Sequence, residues 1–280
     1  MHFCGFQALP RRFTGLLLAA FIPIHAAAQA PSAPSKEAGR PMASELAQRL
    51  APGGELRVGL IGSNAVLITR GPDGSLRGVA VELAGRLARK LGARLRMIPH
   101  ETPKQYAESL ATDGWDLVMS GRDPSREDFV AFSEPYLEIE SHYLARPGLG
   151  LDSADQVDRP GIKVLVLTGG SQDNYLTRNL KQASLVRMAG TTAIVRAELQ
   201  AGRVDVFGGT APGVHEIAAA YPEGKVLQGR FSVVHQSIGV RRKNAELLPF
   251  INDFLREAKS SGLVAEEIRR AALKGVNPAP

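Results

Sequence analysis

One side chain in this sequence with the chemistry to hold an anion is Arg126, in the run Ser120-Gly121-Arg122-Asp123-Pro124-Ser125-Arg126. A guanidinium offers a planar fork of donors that meets a carboxylate bidentately, which the point charge of a lysine cannot reproduce. The position, just after a strand and close to a helix start, also suits a surface arginine paired with Glu127 or Asp128. Arg122 is a weaker candidate for the same task, and Asp123 is placed to cap the helix that begins at Pro124. The second feature is Gly169-Gly170-Ser171, which follows the apolar run 162–167. Amide groups at a helix N-terminus, aided by the helix dipole, make an anion site. Glycines there would let a ligand approach the backbone, and Ser171 would add a hydroxyl. An ordinary strand-to-helix turn is the competing reading.

Other chemistries find no support. His100, His142, His215 and His235 are isolated, without the His-x-x-x-His spacing of a metal site. No serine sits in a nucleophile-elbow motif. The single cysteine, Cys4, excludes a disulfide framework or a cysteine-based zinc cluster. No metal and no cofactor are therefore expected. Tyr106, Tyr136, Tyr143 and Phe207 read as core; His142 and His235 read as structural or solvated side chains that could also line a cleft.

The elements that must position these residues begin after an export signal. Arg11 and Arg12 precede a short apolar stretch, residues 13–24, and Ala26-Ala27-Ala28 supplies a small-residue cleavage site. The apolar core is shorter than the roughly 20 residues of a transmembrane helix. Cleavage after Ala28 would remove Cys4, which lies before the apolar core and cannot be a lipobox cysteine. It would also remove two of the six net positive charges that 34 Lys+Arg against 28 Asp+Glu give the 280-residue chain. The remaining basic residues are scattered rather than striped, which excludes nucleic acid as the partner. Beyond a lead-in at 29–54, with a short helix at 44–50, strands and helices alternate. Strands are predicted at 55–61, 94–98, 115–119, 162–167, 185–188 and 204–207, with a long β-like run at 231–241. Helices are predicted at 79–91, from Pro103, from Ser171 to about residue 180, and at 192–200, 247–259 and 266–273. Such alternation implies largely parallel sheets covered by helices, with ligands bound at the carboxyl ends of the strands.

Four landmarks in order carry a resemblance. They are Leu56-Arg57-Val58-Gly59 with Gly74-Ser75-Leu76-Arg77-Gly78; Trp115-Asp116-Leu117-Val118-Met119 with Arg126 and Phe132-Ser133-Glu134-Pro135-Tyr136; the strand and Gly/Ser turn at 162–171; and Gly202-Arg203-Val204-Asp205 with Ser237-Ile238-Gly239-Val240-Arg241. Together they resemble the bacterial extracellular solute-binding proteins of family 3, which capture polar amino acids for ABC importers. The resemblance implies a two-lobed α/β fold of the type II periplasmic-binding-protein kind, each lobe a mostly parallel sheet flanked by helices, joined by two crossing hinge strands. The division would be signal 1–28, lead-in 29–54, lobe 1 at 55–144 plus 237–280, and lobe 2 at 145–236 including the hinge strands. Leu144-Ala145-Arg146 and Val234-His235-Gln236 are the hinge candidates.

By this resemblance Arg126 would hold the ligand carboxylate, opposite the Gly169, Gly170 and Ser171 turn, with Ser120 and Gly121 beside it. The implied protein is a periplasmic monomer that closes its cleft around a small anionic or zwitterionic solute and delivers it to a membrane permease. Two departures bear on the ligand. Thr210 stands where the family usually keeps an Asp for the α-ammonium, and Gly62-Ser63-Asn64-Ala65-Val66 replaces an acidic and aromatic stretch, leaving Asn64 as the site residue there. Glu138 or Glu140 could substitute as the ammonium partner, although solvent-facing charge is the plainer reading. The segment from 155–161 through 179–181, with 119–121 and 132–137, also looks like periplasmic cyclohexadienyl dehydratases, but Thr210-Ala211-Pro212-Gly213 stands where that resemblance would place the enzyme's acid, and no carboxylate follows until Glu216. A ligand-sensing module is the third reading.

Overall fold

The computed structural model describes residues 40–280; the expected signal at 1–28 and the first part of the lead-in lie outside the described residues. After α1 (Arg40–Leu50) come β1 (Glu55–Ile61), a small hairpin of β2 (Thr69–Arg70) and β3 (Leu76–Arg77), α2 (Val79–Leu91), β4 (Arg94–His100), α3 (Pro103–Ser109) and β5 (Leu117–Gly121). β6 (Val130–Ala145) then runs 16 residues without a break. Beyond it follow β7 (Lys163–Leu167), α4 (Ser171–Asn179), β8 (Ser184–Met188), α5 (Val195–Gln200), β9 (Val206–Thr210), α6 (Ala211–Ala219) and β10 (Lys225–Val226). β11 (Ser232–Arg241), α7 (Leu248–Ser260), α8 (Leu263–Ala271) and β12 (Val276–Pro278) complete the described chain.

Local chemistry explains these elements. On α2 the spacing of Ala80, Leu83, Ala84, Leu87, Ala88 and Leu91 puts one apolar face on the sheet. Gly92 ends the helix in a left-handed conformation at φ 66°, its N–H closing onto the Ala88 and Arg89 carbonyls. Thr102 and Gln105 form a capping box at the start of α3, with Pro103 in its first turn. Each fully buried leucine of α2 contributes about 1.5–3 kcal/mol of hydrophobic stabilisation.

The strands join in the order β4-β1-β5-β11-β6-β9-β7-β8. β1 pairs in parallel with β4 and β5, and β7 in parallel with β8 and β9. Between these two parallel halves lie β6 and β11, antiparallel to each other over most of their length. Helices cover the faces of both halves, and the apolar side chains gather accordingly. Leu56, Val58, Leu60, Leu83 and Leu255 share one core, with a satellite around Tyr106, Trp115 and Val118. Val164, Val166, Leu176 and Val206 form a second core, and Leu165, Leu199, Phe207 and Val214 a third on the opposite face of that half-sheet. Leu144 and Ala145, proposed as hinge, sit inside β6 where it pairs with β9 and β10. Arg146 is tied to Asp205 through its backbone N–H and its guanidinium, and 234–236 lies within β11.

Candidate functional site

A cavity of about 90 Å³ lies between the two half-sheets, at the carboxyl ends of β1, β5, β7 and β9. Asn64, Ser120, Gly121, Arg126, Gly170 and Ser171 all line it, as does Thr210. Residues as distant in sequence as Ile61 and Gln236 thus meet in one place because both parallel halves point their carboxyl edges inward.

Arg126 owes its position to the turn after β5. Asp123 accepts hydrogen bonds from the Ser125 N–H (2.9 Å) and hydroxyl (2.7 Å), setting up one turn of 3₁₀ helix at Pro124–Arg126. The guanidinium folds back onto the strand end, where Nη1 donates to Ser120 Oγ and to the Gly121 carbonyl, both at 2.8 Å. Nη2 donates to the Gly169 carbonyl at 3.2 Å, on the opposite lobe. The Tyr106 ring lies 5.4 Å from the guanidinium carbon. Burial pushes the Tyr106 hydroxyl above its ordinary range, although the Arg126 charge pulls the other way, so the ring brings no negative charge. Arg126 is 3% exposed, and among the described residues no carboxylate lies within ion-pair distance of it. The surface-arginine alternative fails on this geometry. Glu127 instead approaches the exposed Arg122, at 3.8 Å.

The Gly/Ser turn departs from expectation in one respect. The Gly169 N–H donates to Asp173 Oδ2 (3.0 Å) and the Gly170 N–H to the Leu167 carbonyl (3.1 Å), so neither is free for an anion. Gly169 does not line the cavity; its carbonyl serves Arg126 instead. Its left-handed φ of 76° and its approach to α3, where a Cβ would lie 3.2 Å from the Pro103 carbonyl, explain the glycine by lobe-to-lobe contact. The donors left at this turn are the Ser171 and Gln172 amides in the first turn of α4. Gly121 is equally constrained. A Cβ there would fall 2.5 Å from Val234 Cγ1 and 2.8 Å from Ser171 Oγ.

Further contacts join the lobes around the cavity. Arg178 reaches across from α4 to Asp123, with Nη2 3.0 Å from Oδ2 and Nη1 3.3 Å from Oδ1. Asn174, one helical turn earlier, donates to Ser125 Oγ at 3.0 Å. Asp123 therefore caps its turn, as expected, and also accepts the cross-lobe bridge.

The remaining candidates divide. Asn64 Oδ1 accepts from the Val66 N–H at 3.1 Å in the turn after β1. Thr210 caps α6, accepting from the Gly213 N–H at 3.4 Å. Glu138 and Glu140 stay outside the cavity, Glu138 beside His235 at 3.2 Å and Glu140 between Arg230 and His142 at 2.7 and 3.0 Å. Neither histidine lines the cavity. Sequence reasoning missed Gln236 as a site residue, together with Gln172 and Thr192, which also line the cavity. Gln236 is 4% exposed and its Oε1 has no hydrogen-bond partner among the described residues. Phe207 belongs to a core, as expected, and also forms part of the cavity wall.

Residues 56–270 match the bacterial extracellular solute-binding proteins, family 3, and the chain belongs to that family. Its two-lobed fold is that of the type II periplasmic binding proteins. Among curated relatives, the cyclohexadienyl dehydratase of Pseudomonas aeruginosa is 26% identical over 226 residues, covering 79% of this chain and 83% of that one. The L-cystine-binding protein TcyJ of Escherichia coli is 27% identical over 212 residues, covering 75% of this chain and 79% of that one. Among solved structures, a mutant of ArgBP from T. maritima superposes with a TM-score of 0.68 at 26% identity, over 81% of this chain and 99% of that one. No helix of the described residues is long and apolar enough to cross a membrane.

Proposed function

We propose that this protein is exported to the periplasm and captures a small carboxylate-bearing solute, an amino acid or a related organic acid. Capture occurs by closure of the lobes, taken as 55–144 plus 237–280 and 145–236, and the monomeric protein delivers the solute to the permease of an ABC importer. The observation that carries this reading is Arg126, a buried guanidinium on the cavity wall whose protein partners are all neutral oxygens. A buried cation without a counter-charge is costly, and a ligand carboxylate supplies that charge. The same group bonds to both lobes, so an anion placed against it also favours the closed arrangement. Ser120, Gly121, Ser171, Asn64 and Thr210 line the same space.

A thermal-shift screen of amino acids, keto acids and dicarboxylates tests the reading. At least one carboxylate should raise the melting temperature of the wild type and lose that effect in Arg126→Ala. A hit that binds equally well without the guanidinium overturns the site. The likeness to a cyclohexadienyl dehydratase offers a second reading. Expelling a hydroxyl together with a carboxylate calls for a positioned general acid, and no Asp, Glu or His is among the described residues lining the cavity. That inventory supports binding over turnover. Phenylpyruvate formed from prephenate by the purified protein would reverse the choice.

A further inference from the structure

We infer that the solute is an organic acid whose second polar group is a neutral hydroxyl or oxo oxygen, and that the cavity discriminates against zwitterionic amino acids. This rests on the assignment of a ligand carboxylate to Arg126. The cavity carries one formal charge, that guanidinium, and no acidic side chain among the described residues that line it. Asp123 and Asp173, which flank lining segments, and the candidate Glu140 are committed elsewhere. Asp123 is held by Arg178 and Ser125, Asp173 by the Gly169 N–H and Arg187, and Glu140 by Arg230 and His142. An α-ammonium enclosed here would share the space with a second cation and meet no carboxylate, and an enclosed charge without a partner is strongly disfavoured.

A neutral oxygen meets the opposite circumstance. Gln236 is buried on the cavity wall with its Oε1 unpartnered. Nε2 can donate to an oxo oxygen and Oε1 can accept from a hydroxyl; Oε1 could also accept from an ammonium, but as a neutral group it brings no counter-charge to offset one. Thr210 uses a lone pair to cap α6, which leaves its hydroxyl proton to donate. The wall also carries an apolar stretch, Ile61, Leu67, Met119, Leu167, Phe207 and Val234, beside the neutral polar Ser120, Ser171 and Thr192, and that stretch suits a hydrocarbon remainder.

The test is calorimetric titration of the purified protein with matched acids of one carbon skeleton: 4-methyl-2-oxopentanoate, 2-hydroxy-4-methylpentanoate, 4-methylpentanoate and L-leucine, with arginine, histidine and cystine added. The oxo or hydroxy acid should bind at least about tenfold more tightly than leucine and than the unsubstituted acid. Gln236→Leu, which removes an unsatisfied buried group and so should still fold, should reduce the oxygenated acids to the level of the unsubstituted one. Thr210→Asp keeps an N-cap residue on α6 and should raise leucine affinity about tenfold. An amino acid that binds wild type as tightly as any oxygenated acid, and does so through Arg126, overturns this inference and leaves the carboxylate assignment standing. A set in which no acid binds through Arg126 overturns both. A preference for the oxygenated acids that survives Gln236→Leu removes Gln236 from the account.

Discussion

The bridge from Arg178 to Asp123 joins α4 of one lobe to the turn after β5 of the other, so replacing Arg178 by alanine should weaken solute binding without touching the cavity. A hydrogen bond to a charged group contributes about 1.5–3 kcal/mol. The Arg178 side chain is 44% exposed and its partner 6%, so solvent screening lowers the expectation to about 1 kcal/mol. Because the bridge needs the lobes to meet, that loss falls on the closed form, and affinity should drop about fivefold. The assay is calorimetric affinity for the best acid from the thermal-shift screen, measured in wild type, Arg178→Ala, Asp123→Asn and the double variant. The double variant should be little weaker than the worse single one, and the ligand-free melting temperature should change little in Arg178→Ala. Unchanged affinity in Arg178→Ala, or losses that add fully in the double variant, would refute the latch.

Two further outcomes follow from packing and charge. Gly121→Ala places a methyl group against Val234 and Ser171; it should cost about 1–3 kcal/mol in chemical denaturation and abolish detectable solute binding. Burial of the Asp158 carboxyl would raise its pKa, but the backbone N–H groups of Ala183, Gln182 and Lys181 outweigh that and hold it below its ordinary 3.8. A depressed native pKa stabilises above the ordinary value and is lost as pH falls through the lowered one. The melting temperature should therefore stay level from about pH 8 to 5 and fall below about pH 4, less steeply in Asp158→Asn.

Much of the fold was legible because helical and strand periods are strong along this chain. The bounds of β1 and α2 match the residues predicted, since apolar spacing and Gly92 define them. β5 starts two residues later than predicted, because Asp116 is taken up by the Arg57 guanidinium and backbone N–H before the strand begins. β9 was placed too early for a different reason. Gly208-Gly209 reads as a turn but lies within the strand, where a Gly209 Cβ would meet the Phe207 ring at 2.3 Å. The full length of β6 was hidden by Ser133-Glu134-Pro135, which the sheet accommodates as a register shift opposite Ser237. At the site, the place of Arg126 after a strand left it open to a surface role, and the family resemblance singled it out. The consumed amides of Gly169 and Gly170 and the exposure of Gln236 to the cavity depend on how distant segments meet, which spacing along the chain does not encode.

The pairing of β6 with β11 runs from Val130 opposite Arg241 to Ser141 opposite Ser232, spanning both half-sheets. Sliding one lobe along the other would have to break that ladder at many points together, whereas bending and twisting leave each hydrogen bond in place. The ladder therefore favours bending and twisting over sliding as the path of closure. The contact from Arg126 to the Gly169 carbonyl thus depends on a register that the backbone ladder holds, and not on the side chains of the cavity alone.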